Sequence, residues 1–164
     1  MNIAILNSSI SHGGVERQIR YLAEGLSERG HSVGIFTLRR SSTVALPHTE
    51  IPWKGFFHPG IRKLFGLPGF LFRFHRAVRS GGFDIMLTWG PYENLAAQII
   101  ARANRISHIA SVRTNREWAY RFLSIWRRAD RIITNADQIR DTLREGYSID
   151  EARLRTIRNG LELE

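Results

Sequence analysis

Within the first forty residues an apolar run, a glycine-bearing loop, an amphipathic stretch, a glycine and a second apolar run follow one another, and few folds accept that succession. Ile3 to Leu6 reads as a buried strand ending at Asn7-Ser8-Ser9. Val15, Ile19, Leu22, Ala23 and Leu26 then recur at helical spacing, with Arg17, Arg20, Glu24 and Glu28 on the other faces. Gly30 stands where a C-terminal cap belongs, and Val33 to Leu38 resumes as a strand. Strand, helix and strand joined this tightly predict a βαβ unit, hence parallel pairing and a right-handed crossover.

The alternation continues along the chain. Ile85 to Trp89 reads as a strand, Asn94 to Ala103 as a helix carrying Leu95, Ala96, Ile99 and Ile100, and Ile109 to Val112 as a strand. Trp118 to Trp126 reads as a helix and Arg131 to Thr134 as extended chain. Asn135 is expected to cap a helix through Leu143 with Gly146 just beyond its end. Leu154 to Arg158 makes a last short strand before the turn signal Asn159-Gly160. The pattern predicts an α/β fold with a doubly wound, mainly parallel sheet flanked by helices, filling residues 1–164 as a single Rossmann-like domain.

One stretch departs from this rhythm. Ile51 to Phe83 holds no acid, six Lys or Arg residues and seven phenylalanines, broken by Pro52, Pro59 and Pro68. Pro68 is placed to open a helix to Arg79, with Phe70, Leu71, Phe74, Ala77 and Val78 on one face and Arg73, Arg76 and Arg79 turned away. Such a segment either packs its apolar face on the sheet or lies on an anionic membrane surface, and the first is the ordinary fate of an amphipathic helix in an α/β domain. The whole chain shares the basic bias, with 24 Lys and Arg against 15 acids and a net charge of +9. Twenty-two of those cations are arginines, whose planar forks suit phosphate and carboxylate partners. No recognition helix, zinc finger or stacking-sheet signature accompanies the charge, so no specific nucleic acid is expected. The chain has no cysteine, which removes a disulfide framework and a thiolate metal site and makes the reducing cytoplasm the simplest location. The first residues hold no signal-peptide core, and no apolar span reaches membrane-crossing length.

In a parallel sheet, ligands gather outside the carboxyl ends of the strands, so the loops that follow strands carry the candidate site. The first is the loop with Gly13 and Gly14, where bare main-chain amides and a helix N-terminus can approach a donor phosphate. It is not the Gly-x-Gly-x-x-Gly fingerprint, and Thr37-Leu38-Arg39-Arg40 stands where a dinucleotide fold carries an acid, so a nicotinamide cofactor is disfavoured. Trp89-Gly90-Pro91-Tyr92-Glu93-Asn94 follows a second strand, and the Trp89 and Tyr92 rings suit sugar faces or simply cover the sheet edge. Arg113, Asn115 and Arg116 follow a third, able to hold an anionic or polyhydroxyl acceptor or to sit solvated in a loop. The six histidines are scattered without metal-site spacing, and no metal is expected; His12 alone lies in a candidate loop, as an acceptor-orienting group or plain helix-start polarity.

At His12-Gly13-Gly14-Val15-Glu16-Arg17, with Leu22-Ala23 and Arg29-Gly30-His31-Ser32-Val33, the sequence resembles the opening of family 4 retaining glycosyltransferases of the GT-B fold. Phe83-Asp84-Ile85-Met86-Leu87, Ala129-Asp130-Arg131-Ile132-Ile133-Thr134-Asn135 and Ile157-Arg158-Asn159-Gly160 are similar to that family's central strand, last N-domain strand and helix, and interdomain boundary. The resemblance implies transfer of a sugar from a nucleotide-diphosphate donor without a required metal or other cofactor, in a cleft between two Rossmann-like domains. This chain would be the N-terminal, acceptor-side domain, not competent alone, with the C-terminal donor-binding domain and most catalytic residues outside it. Gly13 and Gly14 would face the donor phosphate, and His12, Glu16, Arg17, Trp89, Tyr92, Arg113, Asn115 and Arg116 the acceptor. Where the family often carries a histidine, the loop after the third of these strands reads Arg113-Thr114-Asn115-Arg116. The acceptor would be a sugar, a lipid-linked one or a cell-surface polysaccharide precursor, met at the cytoplasmic face of a membrane. A stand-alone nucleotide-binding Rossmann protein and a basic nucleic-acid-binding module are the competing readings.

Overall fold

The computed structural model describes residues 1–8, 14–39, 48–52, 66–114 and 127–160. In chain order its elements are β1 (Asn2–Asn7), α1 (Gly14–Glu28), β2 (Ser32–Thr37), β3 (Thr49–Glu50), α2 (Leu67–Gly81), β4 (Ile85–Thr88), α3 (Pro91–Asn104), β5 (Ser107–Val112), β6 (Arg131–Thr134), α4 (Asp137–Asp141) and β7 (Leu154–Thr156). The strands form one seven-stranded sheet in the order β3-β2-β1-β4-β5-β6-β7, and every neighbouring pair is parallel. That is the doubly wound order, with the reversal at β1, which pairs Ile3 with Val33 on one side and with Ile85 on the other.

Strand alternation divides the core into two faces. Ala4, Leu6, Phe36 and Met86 point to one, where Phe70, Phe74 and Val78 of α2 and Ala96, Ala97 and Ile100 of α3 bury against them. Ring contacts bind this layer: Phe36 meets Phe74 edge-on at 5.5 Å and Phe83 at 5.6 Å, and Phe70 stacks on Phe74. Gly34 in β2 makes room for Phe83, whose ring occupies the space a Cβ would need. Ala110, Val112 and Ile132 continue the same face under Ile139 of α4. Ile3, Ile5, Ile35 and Leu87 form the opposite face, covered by Ile19 and Ala23 of α1. The right-handed crossover produces this division, because connections moving leftward from β1 and rightward from β3 must cross opposite faces.

The described half of the basic, phenylalanine-rich stretch is α2, a core-packed helix with Pro68 in its first turn and Gly82 capping it at φ 57°. Among the described residues no helix is long and apolar enough to cross a membrane. The structure corrects several local expectations. Ala136, not Asn135, is the N-cap of α4, and no side chain caps it. That helix ends at Asp141 and continues as a π-helical turn over Thr142–Gly146. The last strand stops at Thr156, although the Ile157 amide still donates to the Thr134 carbonyl at 2.8 Å. The two-residue β3 carries no apolar run that could have announced it. The expected helix over 118–126 and residues 53–65 lie outside the described residues.

Candidate functional site

At the carboxyl edge the connections after β1 and β4 leave toward opposite faces, which opens a crevice between them. Gly14, the first residue of α1, is exposed, and a Cβ there would meet nothing within 4 Å. Glu16 is half-buried and Arg17 exposed in the same first turn. His12, Gly13, Asn115 and Arg116 lie outside the described residues.

Beneath the crevice lies a polar group that the sequence reading missed. Glu93, third residue of α3, is 1% exposed and accepts a hydrogen bond from the Ser8 hydroxyl at the end of β1. Burial raises its carboxyl pKa, with the Ser8 bond opposing. Gly90 is what allows this: its missing Cβ is the space the Glu93 carboxylate fills, and any side chain there would collide with it. Thr88 donates to Asn94 Oδ1, and His108 Nε2 lies 2.9 Å from the same hydroxyl. With the single Thr88 proton so committed, His108 is the donor through Nε2. Burial lowers the His108 pKa to about 4, the Asp130 charge opposing, so the ring is neutral at physiological pH. The available signal was Gly90-Pro91-Tyr92-Glu93 itself, a helix start with an acid at the third position.

Trp89 and Arg113 do converge. The Arg113 guanidinium lies 5.9 Å from the Trp89 ring centroid and donates to Asn159 Oδ1 in the last described segment. Among the described residues no carboxylate pairs with Arg113, and burial lowers its pKa while leaving it charged at neutral pH. Gln18 of α1 donates to the Gly160 carbonyl at 2.7 Å, closing the segment across the same edge. Together they rim a groove of about 320 Å³ on the α1 face, floored by Ile3, Leu87, Ile109 and Ile133. Trp89 Nε1 and Ser111 Oγ, both buried, have no hydrogen-bond partner among the described residues. The groove thus offers a cation with no carboxylate partner, and two polar atoms with no hydrogen-bond partner, among the described residues, above an apolar floor, a composition suited to an amphiphilic or anionic ligand. Tyr92 does not join them; its ring packs against the α2–α3 core layer. No group of three metal-ligating side chains occurs among the described residues.

An all-parallel sheet wound outward from β1, with helices on both faces, defines a Rossmann-like domain. The Glycosyltransferase Family 4 model matches residues 12–164, and the chain belongs to that family. No curated protein sequence matches it. Among solved structures, the lipopolysaccharide outer core galactosyltransferase WaaB, in its apo form, is similar over 100% of this chain and 47% of its own, with a TM-score of 0.78 at 12% identity. HepE of Anabaena in complex with UDP is similar over 99% of this chain and 45% of its own, with a TM-score of 0.73 at 14% identity. Sucrose-phosphate synthase of Thermosynechococcus elongatus gives 0.67 at 18% identity, over 98% and 48%. The chain therefore spans about half the length of these relatives.

Proposed function

We propose that this chain is the N-terminal, acceptor-side wall of a retaining glycosyltransferase that moves a sugar from a nucleotide-diphosphate donor to an acceptor. One observation carries the reading: Arg113, half-buried and without a carboxylate partner among the described residues, stands over Trp89 at the mouth of the groove. A desolvated guanidinium at a strand's carboxyl end is stabilised by an arriving phosphate or carboxylate, and the unpartnered Trp89 Nε1 and Ser111 Oγ add hydrogen bonds for a polyhydroxyl body. We assign Arg113 to the acceptor's anionic or hydroxyl groups, and the main chain at Gly14 to the donor phosphate, whose charge the α1 N-terminus offsets without a metal. HepE, of the same fold, was solved with UDP-glucose, which supports a nucleotide-sugar donor here. The second wall, with most donor contacts, belongs to a C-terminal domain.

Calorimetric titration of UDP-glucose and related donors into residues 1–164 and into the full-length protein tests the split site. Binding by the full-length protein together with none by the short chain is the expected result. Tight binding by residues 1–164 alone would overturn the split site in favour of a stand-alone nucleotide-binding protein. The anomeric configuration of the product, read by NMR, tests retention.

A further inference from the structure

On the opposite face of the sheet from this groove, at the amino ends of the strands between the end of α3 and the start of β6, lies a second depression of about 370 Å³. Arg102, Arg105 and Arg128 stand around it, all exposed, and none has a carboxylate or other side-chain partner among the described residues. Its wall is formed by Gln98, Ala101, Ile106, His108 and Asp130. Gln98 holds a buried side-chain nitrogen, Nε2, with no hydrogen-bond partner among the described residues, which is uncommon in a settled core. Asp130 is the one acid present, and its carboxylate already accepts the His108 amide at 2.8 Å, so the lining is cationic by two charges. The Arg105 backbone is held at φ 58°, a conformation that L side chains rarely adopt, and it fixes that side chain at the turn beside the depression.

We propose that this depression is a second binding site, for a phosphate group carried as inorganic phosphate or as a small phosphomonoester. Three planar forks lining one concavity suit a tetrahedral oxyanion, because a guanidinium can bind two oxygens and the mutual repulsion of the cations is relieved by the occupant. The uncommitted Gln98 amide gives the inner wall a further donor.

The test is a titration of the full-length protein with inorganic phosphate and with glycerol 3-phosphate at constant ionic strength, followed by NMR at the His108 and Asp130 amides. Saturable shifts at those amides are expected, and whichever probe binds more tightly names the source of the phosphate. The double variant Arg102→Gln/Arg105→Gln alters two exposed side chains and should weaken the binding at least tenfold, roughly the effect of removing charge-assisted bonds. Arg113→Gln, at the other end of the sheet, should leave it unchanged. No saturable shift, equal binding by the double variant, or loss through Arg113→Gln alone would each overturn the proposal.

Discussion

At their amino ends two pairs of neighbouring strands are tied by aspartate contacts, whereas around Trp89 and Arg113 at the carboxyl ends such ties are missing among the described residues. Asp84, just before β4, accepts the Asn2 amide at 2.8 Å, and its own amide donates to the Asn2 carbonyl. Asp130, just before β6, repeats the arrangement with His108 of β5. Each aspartate thus joins the start of one strand to that of its neighbour. At the carboxyl edge, among the described residues, Arg113 meets no carboxylate and Trp89 Nε1 and Ser111 Oγ have no hydrogen-bond partner. Where polar groups are paired the sheet is held together, and the unpaired ones around Arg113 are those proposed to bind ligand.

Four measurements would break or sharpen that contrast. The largest effect is expected on acidification. Because the His108 pKa is about 4 in the fold against about 6.5 unfolded, the unfolded chain binds the extra proton between those values. Stability should be full above pH 6.5 and fall by about 3 kcal/mol as pH drops toward 4. Glu93, whose pKa is raised, contributes with the opposite sign, so the effect is read as the difference between the wild type and His108→Gln in denaturant titrations across that range. If both follow one slope, His108 is not the group responsible.

Next, if the proposed transfer is the activity, Arg113→Ala in the full-length protein should lower it about 100-fold, near 3 kcal/mol, with the melting temperature nearly unchanged. A large stability loss with normal turnover would place Arg113 among the strand-tying residues instead. Asp130→Ala should do the reverse, costing about 1 kcal/mol of stability in chemical denaturation without altering transfer. The smallest effect is expected at Arg105, where replacement by glycine relieves the left-handed backbone and should stabilise by about 0.5 to 1 kcal/mol. A lower midpoint for Arg105→Gly would mean that its side chain already contributes a contact.

Long apolar runs made β1, β2, β4, β5 and β6 legible, since each stacks several residues of one kind in a short span. Two residues, Thr49 and Glu50, cannot show a period, so β3 exists only through its pairing with Phe36 and Thr37. Trp89 and Arg113 stand out in the sequence because each follows a strand's carboxyl end, and in the structure the two side chains lie together. Tyr92 followed the same rule but its ring found the core, because a helix's first turn turns some side chains back toward the sheet. Glu93 resembled any charged helical residue; its burial depends on Ser8, 85 positions away, and on the absence of a side chain at Gly90. The family resemblance rested in part on Asp84 and Asp130, and the structure makes both of them architectural.

The hub position of β1 carries a kinetic consequence. It is hydrogen-bonded to β2, whose first residue is 32, and to β4, which begins at 85, and no pair in the sheet is a local hairpin. Every ladder therefore closes across a long stretch of chain, so folding should be slow for a domain of this size, with one flank of the first strand waiting until the fourth has been made.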